Sequence, residues 1–67
     1  NYGGEELMKV YAVEEYLEDN GINTEIIGVY ESKSKALAKV KERGELYKYN
    51  EYSVTTYDTV TGGIVND

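Results

Sequence analysis

The apolar positions of this chain recur with two different rhythms. Over residues 8–17, "MKVYAVEEYL", they alternate: Met8, Val10 and Ala12 share one parity, and Tyr11 and Val13 the other. Successive side chains of a strand point to opposite faces, so this spacing predicts a strand that is apolar on both. It ends at Leu17, or earlier at Glu14 or Glu15 with a longer loop. In "EDNGIN", Asn20-Gly21 predicts a turn, because both residues tolerate positive φ. Residues 24–30, "TEIIGVY", predict a second strand, with Ile27 and Val29 on one face and Ile26, Gly28 and Tyr30 on the other. A glycine inside a strand admits the close approach of a backbone or a ring. Two strands this near in sequence pair as an antiparallel hairpin.

At Ser32 the rhythm changes. Ala36, Leu37 and Val40 recur at helical spacing, one narrow stripe facing a core. Ser32 can accept a hydrogen bond from an unpaired first-turn amide and predicts the N-cap. Lys41 and Arg43 sit where the helix dipole favours cations. Gly44 is placed as the residue after the helix end, so the helix is expected from Lys33 to Arg43. Residues 48–58 are rich in Tyr, Val and Thr and predict a third strand. Gly62-Gly63 predicts a turn into either a free tail or a short fourth strand at Ile64-Val65. The order β-β-α-β predicts an α+β fold in two layers. Its three-stranded antiparallel sheet is expected in the order 2-1-3, with one helix on one face. Residues 8–60 form the single expected domain and 61–67 its tail. Met8, the one methionine, is either an ordinary strand residue or a natural start, in which case residues 1–7 are a non-native or disordered lead.

The stretches "KVYAVEEY" and "IIGVYESKSKALAKVKE", followed by a tyrosine-rich strand with "YSV", carry a resemblance. Together they resemble a family of very small bacterial and bacteriophage domains. Its members open on a "KVYVV"-like strand and run from an "IIGVF"-like strand through "S-x-x-x-A" into a helix. The similarity spans Lys9 to Asp58. It implies this β-β-α-β fold and a microbial or phage setting, and it carries over no activity and no catalytic residue. The extra N-terminal residues and the glycine-containing tail depart from the pattern.

Composition narrows the chemistry. A chain of 67 residues buries only roughly 60% of its unfolded surface, so small scaffolds generally need a disulfide, a metal or a partner. The chain has no Cys and no His, which removes disulfides, thiolate sites and the commonest general base. Association is the remaining support. A net charge of −6 disfavours direct nucleic-acid binding. No apolar run is long enough to span a membrane, and a cytoplasmic protein is expected. Glu14, Glu15, Glu18 and Asp19 are read as a solvated acidic turn, since they lack EF-hand spacing. Gly3-Gly4 and Gly62-Gly63 lack the strand–loop–helix context of a phosphate site. The Ser and Thr residues have no histidine to activate them. No enzyme activity, cofactor or metal is expected.

What remains points to a protein-binding role. Lys33, Lys35, Lys39, Lys41 and Arg43, with Glu42, give the expected helix a net charge of +4 against −10 elsewhere. That is either a solvated lysine face or one pole of a docking surface. One helix covers one sheet face. If Val10, Ala12, Ile27 and Val29 look inward, Tyr11, Val13, Ile26 and Tyr30 form an uncovered apolar patch, and such patches mark interfaces. Tyr47 and Tyr49 join them as interface candidates, because eight tyrosines with no Phe or Trp favour rings that stay partly wet. The expected partner is a protein, in the first place a second copy forming a homodimer. Two alternatives are an acidic nucleic-acid mimic that blocks a DNA- or RNA-handling protein, and a purely structural domain.

Overall fold

The elements fall where the rhythms change. The computed structural model describes residues 8–17 and 23–66, with β1 at Lys9–Leu17, β2 at Asn23–Tyr30, α1 at Lys33–Leu46 and β3 at Glu51–Asp58. The sheet is antiparallel in the order β2-β1-β3 and α1 packs against all three strands, which is the expected α+β architecture. The Asn20-Gly21 turn, Glu18, Asp19 and residues 1–7 lie outside the described residues.

The pairing register decides which side chains lie under the helix. β1 and β3 pair Tyr11 with Thr56, Val13 with Val54 and Glu15 with Tyr52. Glu15 reaches Arg43 of α1 and Val13 is wholly buried, so this odd parity of β1 faces the helix. β2 contributes Tyr30 and Gly28 to the same side, opposite Tyr11 and Val13. The expected orientation is therefore reversed. Tyr11, Val13 and Tyr30 lie on the covered side, while Val10, Ala12 and Val29 share the open one.

Ile26 also changes company. The β1–β2 register shifts between Val13 and Glu14, leaving Ile27 as the extra residue of a bulge. Beyond it Ile26 pairs with Glu14, on the open face, and no longer shares a side with Gly28 and Tyr30. Gly28 leaves room for the Tyr30 ring, because a Cβ there would stand 2.7 Å from its tip.

Ser32 caps α1 as predicted, in extended conformation, accepting the Lys35 N–H at 3.1 Å. The end of the helix differs from expectation. It runs on to Leu46 and Gly44 lies inside it; among the described residues only Gly62 has positive φ. The helix ends at its C-cap Tyr47, whose backbone is no longer helical. The Tyr47 N–H donates to the Arg43 carbonyl at 2.9 Å, and the Tyr52 hydroxyl lies 3.2 Å from that carbonyl and 3.1 Å from that of Tyr47. The inward stripe is also narrower than predicted. Ala36 is buried and Val40 half-buried, but Leu37 stands exposed on the flank.

Each sheet edge is modified. Past β3 the chain turns at Gly62, with φ +79, and comes back along the strand. The Asp58 N–H donates to the Gly63 carbonyl at 2.9 Å and the Val65 N–H to the Thr56 carbonyl at 2.8 Å. The result is a single bridge between Tyr57 and Ile64 in place of a full fourth strand. The β2 edge carries the Ile27 bulge.

Candidate functional site

Two surfaces merit attention. The first is the open sheet face, whose rows follow from the register. Ala12 lies between Val29 and Thr55, Val10 beside Tyr57, Glu14 beside Ile26, and Ile64 bridges Tyr57. Ile26 is 59% exposed, Val29 56% and Ile64 64%. No described helix or strand crosses this face. Its other end is polar: Glu14, Tyr16, Thr24, Glu51 and Ser53 line a shallow hollow, and the Ser53 hydroxyl donates to Glu14 Oε1 at 3.3 Å.

The second surface is the helix end, organised by a buried carboxylate. The Glu15 side chain is 1% exposed. Arg43 engages it as a fork, Nε at 3.0 Å from Oε2 and Nη2 at 3.3 Å from Oε1. Asn50 Nδ2 donates to Oε2 at 3.2 Å and the Tyr52 hydroxyl at 2.9 Å. The Arg43 guanidinium, then the Tyr52 and Asn50 hydrogen bonds, hold the Glu15 carboxyl below the ordinary carboxylate range against the opposing effect of burial. Burial and the nearby carboxylate push the Tyr52 phenol up. Arg43 also lies over the Tyr47 ring, 4.4 Å from its centroid. Glu15 is thus no part of a solvated acidic turn. The cost of burying its charge is offset by an opposite charge and by hydrogen bonds.

The six predicted interface residues divide. Val13 is fully buried and lies in the core. Tyr11 and Tyr30 are half-buried on the helix side. Ile26 lies on the open face, where Val10, Val29, Tyr57 and Ile64 replace the expected companions. Tyr47 and Tyr49 stand at the turn after α1, and Tyr49 is 89% exposed. The sequence reading missed the Glu15 cluster. Its signal was a glutamate with the parity of Tyr11 and Val13, an acid where the helix-side row demands burial.

The charge picture also shrinks. Extended to Leu46, α1 includes Glu45 and carries five basic and two acidic residues, net +3. Arg43 is committed to Glu15, and Lys39 Nζ lies 3.7 Å from Glu42 Oε1. Among the described residues no group of three potential ligands could hold a metal ion, and no helix is long and apolar enough to cross a membrane.

Fold and surfaces together define a small two-layer α+β domain with one helix clamped across one face of its sheet. Residues 8–63 match the family described as a domain of unknown function, DUF7336, and the chain belongs to that family. Searches of curated proteins and of solved structures returned no match.

Proposed function

We propose that this domain is a small non-catalytic protein-binding module that self-associates through its open sheet face, in a bacterial or phage setting. The observation that carries this reading is the exposed apolar side chains on the face the helix leaves bare, Ile26 and Val29 on β2 and Ile64 beyond β3, with half-buried Val10 and Tyr57 on the strands between. Exposed apolar surface of this kind is characteristic of an interface. The edges are poorer candidates. The 63–65 return occupies part of β3 and a bulge interrupts β2, both recognised means of preventing edge pairing. A second copy suits the face because a self-complementary contact covers Val10, Val29, Tyr57 and Ile64 of both chains at once.

Sedimentation equilibrium at micromolar concentrations tests the proposal. The dimer is expected for the native chain, and Val29→Lys and Ile26→Lys are expected to be monomers with unchanged helical circular dichroism. A native chain that stays strictly monomeric overturns self-association. Should it instead bind a basic DNA-handling protein in competition with duplex DNA, the acidic-mimic reading would replace it.

A further inference from the structure

The outer edge of β3 is protected along only part of its length. The 63–65 return takes the Asp58 N–H and the Thr56 carbonyl, so this parity of β3 turns its backbone groups away from β1. Tyr52 and Val54 share that parity, and their outward N–H and C=O groups have no partner among the described residues. No proline, bulge or lysine guards Glu51–Thr55. A row of α1 side chains stands over this gap. Lys33 and Val54 line a hollow of about 280 Å³ with Thr56, Val65 and Asn66. Further along, Gly44 faces Tyr52, since a Cβ on it would lie 3.8 Å from Tyr52 Cε2. Helical spacing places Leu37 and Lys41 on the same flank, between those two points. Lys33, Leu37 and Lys41 are all exposed, and neither lysine pairs with an acid among the described residues.

We propose that the Tyr52–Val54 edge, with the Lys33–Leu37–Lys41 flank of α1, binds an extended acidic segment of another protein. The segment adds to the sheet beside β3 and carries an acid, an aliphatic residue and an acid at alternate positions. The spacing fits. Lys33 and Lys41 stand about 12 Å apart along the helix axis, and the first and fifth residues of a strand, which share a face, stand about 13 Å apart. The two acids meet the two lysines and the aliphatic residue meets Leu37 and Val54. Main-chain hydrogen bonds supply affinity and the alternate side chains specificity. A second copy is a poorer occupant, because the matching row of its own β3, Tyr52, Val54 and Thr56, offers no carboxylate. The edge is distinct from the open face, so this binding does not rest on self-association.

Fluorescence anisotropy with the labelled peptide Thr-Glu-Thr-Val-Thr-Glu-Thr provides the test, with the contact mapped by 15N–1H spectra. The native chain is expected to bind it, with shifts concentrated at residues 52–56 and the Val54 N–H protected from exchange. Lys33→Glu should weaken binding about fivefold, by removing one exposed ion pair and opposing like charges. Lys35→Glu makes the same change in net charge on the opposite flank and should bind as the native chain does. Methylating the peptide's valine nitrogen removes a ladder hydrogen bond to Val54 and should weaken binding about tenfold. The peptide with lysine in place of both glutamates should not bind. The proposal is overturned by no binding at millimolar peptide, by equal binding of the methylated or lysine peptide, or by equal weakening in the two variants. Shifts centred on Val10 and Val29 would also overturn it, as would shifts at residues 52–56 that follow protein concentration without peptide, which assign the edge to a second copy.

Discussion

Two glycines show how the same residue type can carry opposite meanings. Gly28 is needed for space: its missing Cβ is where the Tyr30 ring tip lies, at 2.7 Å. Gly44 meets no such demand, because a Cβ there would find its nearest neighbour, Tyr52 Cε2, at an ordinary 3.8 Å, and its backbone is helical. Alanine should therefore act with opposite sign at the two sites. Gly44→Ala is expected to stabilise by about 0.5–1 kcal/mol through helix propensity. Gly28→Ala is expected to cost about 1 kcal/mol, the low end for overpacking, because a half-buried tyrosine can swing aside. Urea denaturation of both variants checks the signs. Combining Gly28→Ala with Tyr30→Ala should cost less than the sum of the single changes. The role of Gly28 was legible from the sequence, since a glycine among β-branched residues announces close approach. Gly44 was read as a stop because glycine commonly follows a helix, whereas here the helix runs through it and ends where the backbone of Tyr47 leaves helical geometry, at φ −127 and ψ 81.

Among the elements, α1 shows best what periodicity reveals and what it hides. Its start was legible at Ser32, whose side chain can satisfy a first-turn amide without help from distant residues. The fold order was legible too, as each element has a local signature. The choice of buried face was not. The first half of β1 is apolar on both parities, and what distinguishes them is Glu15 finding Arg43, 28 residues away in sequence. Nor did the alternation reveal the bulge at Ile27, which moves Ile26 to the other side. The Glu15–Arg43 tie makes α1 sensitive to acid. A carboxyl held below its ordinary value of 4.5 in the folded chain contributes stability that is full above that value and is lost as pH falls through the lower native value. Thermal unfolding of the native chain should therefore decline below about pH 4.5 more steeply than that of Glu15→Gln, which has no such proton to take up. Parallel curves for the two would show that Glu15 does not titrate in this way.

For the molecule as a whole, charge and apolar surface predict opposite responses to salt. The chain carries −6, and the helix, with Arg43 engaged, offers a smaller positive pole than the lysine pattern promised. Self-association through an apolar face must overcome like-charge repulsion, so added salt should strengthen it by screening. Docking of the acidic sheet on a basic partner should weaken instead. Sedimentation across a salt series separates the two, and a dimer that dissociates as salt rises would contradict an apolar contact. The family match spans residues 8–63, which takes in the turn at Gly62 and the start of the return along β3.

The strand order also has a temporal side. β1 is made first yet occupies the middle of the sheet, and its outer partner arrives late: Lys9 pairs with Asp58. During synthesis the central strand therefore cannot complete its second ladder until the last strand has left the ribosome. Chains ending before Glu51 should be cut by protease at rates typical of unfolded polypeptide, with resistance appearing only once β3 is complete.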